Sequence, residues 1–240
     1  MRPPTARRRR LAILAVVLGL AVPAAASAHP LGNFTVNHYA ALRVGDARID
    51  LDVVVDVAEI PAFQERIRID ADGDGNVSAG EADAARDDEC RELLPSLELR
   101  VDGARVVPEL AAAGLSFPAG AGGVPTMRTV CQLEAVLGKP LPEGAAITFA
   151  DTSAPERIGW REIVVIGDGR AIGGVDGSAA PTPEDVSRRL TAYPESLLQQ
   201  PLDVRAVAFS VGGEGPVAAP FVAPDASPLG GAAPATPDPA

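Results

Sequence analysis

The segment that most constrains this chain spans residues 70–81 and reads Asp-Ala-Asp-Gly-Asp-Gly-Asn-Val-Ser-Ala-Gly-Glu. Oxygen-bearing side chains occupy its first, third, fifth, seventh, ninth and twelfth positions, and the glycine at the sixth allows a sharp turn. A loop that wraps a hard cation needs this spacing, because Ca²⁺ binds about six to eight oxygen atoms. The pattern predicts a Ca²⁺ site formed by Asp70, Asp72, Asp74, Asn76, Ser78 and Glu81.

Each of these positions has a defined role in the EF-hand, the helix-loop-helix calcium motif. The three aspartates supply carboxylate oxygens, Asn76 its backbone carbonyl and Ser78 a contact through water, while Glu81 closes the shell with both carboxylate oxygens. The backbone of Val77 normally pairs with a second loop. An acidic surface turn is the alternative, since Asp, Asn, Gly and Ser also form turns. The match at every position, including the terminal glutamate, favours calcium.

The first 28 residues have the features of a secretory signal peptide. Residues 7–10 are arginines, residues 11–22 are apolar, and residues 26–28 are small and suit a cleavage site. We therefore expect an exported, extracytoplasmic protein that begins at His29, secreted or, if the signal stays uncleaved, tethered to the membrane. No segment after residue 28 is apolar for the roughly 20 residues that a membrane span requires.

The chain is acidic, with a formal net charge of −11. Five arginines belong to the leader, so the mature chain is more acidic still. This charge argues against nucleic acid and anionic membranes as partners, and it suits a surface that handles cations. Ordinary solubility explains the charge equally well.

Two segments near the mature N-terminus, residues 34–44 and 47–57, have the alternating pattern of β-strands. In the second, alternate apolar residues are separated by Asp50, Asp52 and Asp56, which predicts one buried and one acidic face. Gly45 and Asp46 between the segments indicate a tight hairpin.

The periodicity then changes to that of helices. Ile60, Phe63 and Ile67 fall on one helical face, and residues 79–94 form a second, polar helix that ends before Pro95. These two helices flank residues 70–81, so we expect an EF-hand inserted at about residues 59–94.

The remainder of the chain, to residue 211, contains short strands separated by turn signals. Strands are predicted at residues 97–101, 105–107, 128–137, 146–150, 159–166 and 204–211, with a surface loop at 111–125 and a short helix starting near residues 183–185. This spacing favours a mainly β domain with an α insertion, an antiparallel β-sandwich over residues 29–211 that carries the helix pair between its second and third strands. Residues 212–240, rich in Pro, Gly and Ala, are expected to form a disordered tail or linker.

Cys90 and Cys131 are the only cysteines. In an exported protein we expect them to form a disulfide bond. A catalytic thiol is the alternative, but a base is missing, because His29 and His38 are the only histidines and both lie near the mature N-terminus.

His29 is also a candidate ligand for a transition metal. Once the leader is removed, its amino group and imidazole can chelate one ion, and nitrogen ligands favour Ni²⁺, Co²⁺ or Cu²⁺. His38 could complete such a site. A frayed terminus that happens to begin with histidine is the alternative, and Pro30 prevents the next backbone nitrogen from joining the site.

Three strings carry a resemblance to a known family: HPLGNFTVN at residues 29–37, VDVAEIP at 55–61 and RLTAYP at 189–194. Over roughly residues 29–211 the chain resembles the extracytoplasmic N-terminal domain of bacterial nickel/cobalt transporter-like membrane proteins of the NicO type. In that family a multi-helix membrane part follows the linker and carries the transport. This chain lacks a segment of that kind, so the resemblance does not imply that it transports metal by itself.

We therefore expect an exported calcium-binding accessory module that is not an enzyme. The alternative is the soluble domain of a nickel/cobalt transport system, either truncated or acting with a separate membrane partner. Catalysis is disfavoured, because Asp50 and Asp52 lie on a solvated strand face and no nucleophile and base are expected to converge.

Overall fold

The computed structural model describes residues 30–219, 221 and 223–229. The predicted signal peptide and His29 lie outside these residues. The described strands are β1 Val36–Val44, β2 Arg48–Val57, β3 Leu97–Val101, β4 Ala104–Val106, β5 Glu109–Ser116, β6 Met127–Val136, β7 Ala146–Asp151, β8 Arg161–Gly167, β9 Arg170–Gly173, β10 Ala206–Glu214 and β11 Ser227–Pro228. They form two sheets, the first in the order β11-β5-β6-β2-β1-β8 and the second in the order β4-β3-β7-β10-β9. The predicted mainly β fold is confirmed.

The two sheets face each other across one apolar core, as in a β-sandwich. Leu42, Leu51 and Leu133 enter this core from the first sheet, and Leu99 and Phe149 enter it from the second. All five are at most 1% exposed. Because side chains alternate along a strand, the opposite face of the first sheet, here called the outer face, carries the intervening residues.

Neighbouring described strands are antiparallel except at one position, where β1 and β8 run parallel with Leu42 opposite Val165. The purely antiparallel sheet expected from the sequence is therefore wrong at this pair. Parallel neighbours need a long crossover connection, and here the chain between β1 and β8, which includes β2, supplies it.

Two helices, α1 Glu59–Ile69 and α2 Ala79–Leu93, lie between β2 and β3 in the chain, as predicted. Ser78 caps α2: its hydroxyl accepts from the Glu81 amide, and the Glu81 carboxylate accepts from the Ser78 amide. A 3₁₀ turn at Leu94–Ser96 follows α2 and contains Pro95. None of the described helices combines the length and the apolar character that crossing a membrane requires.

The apolar face of α1 lies on the surface rather than in the core. Ile60, Phe63 and Ile67 are 45%, 53% and 63% exposed. The helix instead packs through Ala62 and Ile69, which join a small apolar cluster at one end of the first sheet. An apolar stripe at helical spacing ordinarily faces the core, so this arrangement departs from the usual pattern.

The surface loop expected over residues 111–125 is confined to residues 117–125, which contain only a short 3₁₀ turn at Ala121–Gly123. Residues 111–116 belong to β5, which pairs with β6 and with β11. Small residues are needed here because other chain segments pass close by. A Cβ atom added at Gly114 would lie 1.8 Å from the carbonyl oxygen of Asp225.

Two irregular segments cover the outer face of the first sheet. Leu190 and Ala223 pack there on an apolar cluster that includes Tyr39, Val54 and Trp160. Residues 183–185 start no helix in this covering layer, contrary to expectation. Of the tail predicted for residues 212–240, the first residues belong to β10, which continues to Glu214, and residues 227–228 form β11, which pairs with the sheet edge. Residues 220, 222 and 230–240 lie outside the described residues, so the prediction for them stays open.

Candidate functional site

The acidic loop, defined as residues 70–81, brings three carboxylates together. Asp70, Asp72 and Asp74 each place an oxygen within 4.8 Å of the others. Asp70 accepts hydrogen bonds from the backbone of Gly73 and Gly75, each at 2.8 Å, and these bonds fold the chain around its carboxylate. Gly75 has a φ of +88°, in the left-handed region that glycine adopts without strain. The oxygens therefore converge on one point of the exposed loop.

The carboxylate of Glu81 returns from the first turn of α2 to the start of the loop. Its Oε1 accepts from the amides of Ala71 and Asp72, at 2.7 and 3.2 Å, and its Oε2 accepts from the amide and hydroxyl of Ser78, at 2.8 and 2.9 Å. These hydrogen bonds, those of Ser78 foremost, lower the pKa of Glu81 to about 2. The last carboxylate of the motif is thus ionised at neutral pH and closes the loop into a ring.

The remaining predicted ligands lie between these two ends. The backbone N–H of Asn76 donates to Asp74 Oδ1 at 2.7 Å, while Ser78 caps α2. Arg66 of α1 donates to the Gly75 carbonyl at 3.1 Å and so fixes the turn to the preceding helix. Every side-chain ligand of this loop is an oxygen, a donor set that suits hard cations such as Ca²⁺ and Mg²⁺ rather than softer transition metals.

The predicted disulfide between Cys90 and Cys131 is confirmed, with Cα atoms 5.6 Å apart. It joins the end of α2 to β6 in the buried core. Arg86, one turn earlier, donates to the carbonyls of Ala113 and Pro228 and ties the same helix to β5 and β11. The helix after the acidic loop is therefore fixed to the first sheet at two levels.

Of the two histidines, the structure describes only His38. His29 lies outside the described residues, so its metal chelate stays a prediction. His38 lies on β1, only 3% exposed, with its Nδ1 3.0 Å from Asp151 Oδ2 and 3.2 Å from Ser153 Oγ. Within the described residues, the three aspartates of the acidic loop are the one group of three acidic, His or Cys side chains close enough to share an ion, so His38 is not brought together with two further ligands.

The acidic face of β2 is not solvated as predicted. Asp52 is 5% exposed, because residues 185–193 fold over it. Arg189 donates to both of its oxygens, at 2.6 and 3.1 Å, and Gln132 donates as well. Burial raises the pKa of Asp52, against the opposing hydrogen bonds from Arg189. This carboxylate is thus part of a buried ion pair, and the expectation of paired solvated carboxylates is wrong.

Arg189 reaches Asp52 from a strained turn. Arg188, Arg189 and Leu190 have φ values of +50°, +56° and +64°, a conformation that costs an L-residue about 1 to 2 kcal/mol each. The turn is closed by Ser187, whose carbonyl accepts from the amide of Thr191 and whose hydroxyl accepts from that of Leu190. The buried ion pair and the buried Leu190 side chain offset this strain.

A second carboxylate, Asp56, whose side chain is 14% exposed, makes stability depend on pH. Burial raises its pKa from 3.8 to about 6, against the opposing charge of Arg128, whose NH1 lies 3.5 Å away. Because the folded state holds this proton more tightly than the unfolded state, Asp56 lowers stability as the pH rises from about 4 to above 6, by roughly 3 kcal/mol.

The Asp56→Asn variant should not show this decrease in stability with rising pH, because asparagine does not titrate. Urea unfolding of both proteins at several pH values between about 4 and 7 checks it. We expect the difference in unfolding free energy to grow in favour of the variant with rising pH. Parallel curves for the two proteins would contradict the prediction.

The polar cluster around His38 is not predicted from the sequence. Asp151, Ser153 and Arg161 are all buried there, and Arg161 donates to the carbonyls of Ser153 and Ala154, each at 2.9 Å. A signal was present in β1, where His38 occupies an inward position between two apolar residues of the same face. Its partners come from distant strands and have no recognisable spacing.

Known proteins assign no family to this arrangement. No family model matches the chain, and neither does any curated protein or any solved structure. The chemistry of the described side chains therefore carries the functional assignment.

Proposed function

We propose that this chain is an exported, non-enzymatic module that binds Ca²⁺ through the acidic loop, with α1, the loop and α2 forming an EF-hand. The observation that carries the proposal is the return of the Glu81 carboxylate to Ala71 and Asp72. It places the twelfth position of the motif beside the second and third. The oxygens of the three aspartates converge on one another, and Glu81 lies outside that group of three. A mere surface turn does not require the last residue to meet the first.

The loop should bind one Ca²⁺ weakly, with a dissociation constant of about 10⁻⁴ to 10⁻³ M, the range of extracellular modules. Its ligands carry enough charge for a tighter site. However, the structure describes no second loop of this kind beside Val77 to hold the first in its bound form. Isothermal titration calorimetry of the processed protein with CaCl₂ measures this constant.

The Glu81→Gln variant provides the sharpest test. Glutamine keeps the capping hydrogen bonds of α2 but lacks the charge and the second ligand oxygen, so it should abolish the heat of binding without unfolding the helix. Asp88→Asn is the matched control, because Asp88 is an exposed carboxylate of α2 paired with Arg91 and remote from the motif. Unchanged heats in Glu81→Gln would disprove the calcium site.

The disulfide supports the location that this proposal requires, since such bonds persist in oxidising compartments. We also propose that the chain catalyses no reaction. The surroundings of Ser153 support this. Its hydroxyl lies against Nδ1 of His38 and donates to Asp151, whereas Nε2, the ring nitrogen that could activate a nucleophile, faces away from Ser153.

A second candidate is the extracytoplasmic domain of a nickel/cobalt transport system, with a membrane protein as partner. It is favoured by the way the three strings that carry the resemblance meet in the fold. Asn37 of the first donates to the carbonyl of Asp56 in the second, and Arg128 contacts both Asp56 and the carbonyl of Arg189 in the third. The described parts of the three strings therefore lie next to one another in the fold, the third through Arg128.

This second candidate predicts that deletion of the coding sequence reduces cellular nickel or cobalt accumulation. Metal content of the wild-type and deletion strains, measured by mass spectrometry, tests it. Restoration by the intact gene, and also by a Glu81→Gln copy, would separate this role from calcium binding. Equal metal content in both strains would refute the candidate.

A further inference from the structure

A cavity of about 380 Å³ opens at the end of the sandwich beneath the helix pair. Its floor is the inner face of the first sheet, with Val55, Val57 and Met127, and its walls come from the facing sides of α1 and α2. This volume lies in the range of small-molecule sites, about 300 to 1,000 Å³.

His38 lines this cavity and presents an unused acceptor. Ser153 Oγ donates to Asp151 Oδ1, so the Nδ1 of His38 carries the proton that is shared with Asp151 Oδ2. In the neutral ring the opposite nitrogen, Nε2, then holds a lone pair. Nε2 is shielded from solvent and has no hydrogen-bond partner within the described structure. An orphaned buried acceptor of this kind is costly unless a ligand donates to it.

The charges around the cavity favour a cationic donor. Glu65, Glu89 and Glu92 line it, against the arginines Arg68 and Arg157. Arg68 is already paired with Glu65 and Glu89, whereas Glu92 forms no ion pair within the described residues. A metal ion fits less well, because His38 belongs to no group of three described ligands close enough to share one.

We propose that this cavity binds a small molecule bearing a primary ammonium group on a short alkyl chain. The ammonium donates to His38 Nε2, the carboxylates on the helices balance its charge, and the alkyl chain packs on the apolar floor. The NH1 of Arg161 lies 4.0 Å from Asp151 and also faces this carboxylate. The cavity lining shares no residue with the acidic loop.

Nitrogen-15 NMR of the imidazoles tests the proposal in the folded protein, with Ca²⁺ present throughout and His29→Ala as background. The probe is n-butylammonium chloride. We expect it to shift the His38 Nε2 resonance in a saturable manner. Tetramethylammonium, a cation without N–H donors, and butyrate, an anion of the same length, should not. Equal effects of the three probes, or none from butylammonium, would overturn the proposal.

Two variants identify the groups involved. Glu92→Gln should weaken butylammonium binding about tenfold, as loss of a charged hydrogen-bond partner does. Glu109→Gln, an exposed carboxylate on β5, should leave binding unchanged. His38→Phe should abolish it, and if that protein does not fold, the wild-type resonance and Glu92→Gln still decide. A shift of Nε2 by Zn²⁺ but not by butylammonium would replace the proposal with a metal site.

Discussion

Replacing Arg189 with alanine is expected to lower the free energy of unfolding by about 3 to 5 kcal/mol, the cost of leaving a buried charge without its partner. Asp52 is 5% exposed and receives two hydrogen bonds from this guanidinium. Arg189 also lies 5.4 Å above the ring of Phe221 and contacts Asp225, so its loss loosens both covering segments. Chemical denaturation at neutral pH measures the effect.

The surface pair of Arg205 and Asp203 provides the control. Its side chains are 40% and 59% exposed, and exposed pairs of this kind contribute about 0 to 1 kcal/mol. Arg205→Ala should therefore change stability little. A double variant, Asp52→Leu with Arg189→Met, should recover much of the loss, because an apolar pair needs no charge compensation. A loss below about 1 kcal/mol in Arg189→Ala would show that the buried pair does not hold the covering layer.

Removing the disulfide should cost about 3 to 4 kcal/mol. Cys90 and Cys131 are 41 residues apart, and a loop of this length restricts the unfolded chain by that amount in the chain-entropy model. For a domain of this size the melting temperature should fall by roughly 10 °C. Calorimetry with and without a reductant measures the change in the wild-type protein.

The Cys90→Ala, Cys131→Val protein should melt at the same temperature with and without the reductant. It should still bind Ca²⁺, because the acidic loop lies at the opposite end of α2. Equal melting of the oxidised and reduced wild type, with both thiols shown to be free by mass spectrometry, would contradict the prediction.

The sequence predicted elements where local pattern and packing agree. Ile49, Leu51 and Val53 alternate because β2 has one face in the core, and Gly45 turns the hairpin to β1. The acidic loop was visible because all its ligands are consecutive in the chain. Motifs of this kind can be read without knowledge of tertiary structure.

The failures share a different cause, which is contact between distant segments. Asp52 was predicted to be solvated, because the neighbouring sequence does not show that Arg189, far along the chain, covers it. The alanines of β5 were predicted to form a loop. Small side chains are present there because α2 and β11 approach this strand closely, which the local sequence does not show. Conversely, helical spacing placed Phe63 on an apolar helix face, and the fold leaves that face exposed.

The parallel pairing of β1 with β8 has a consequence for folding kinetics. Hairpin β1–β2 can form as soon as residues 36–57 are available, but the other edge of β1 stays open until residues 161–167 arrive. Strand pairing over such a separation is slow, and an open edge rich in apolar residues is prone to pair with other chains. The rate at which β8 reaches this edge therefore sets the period during which the newly made chain is most vulnerable to aggregation.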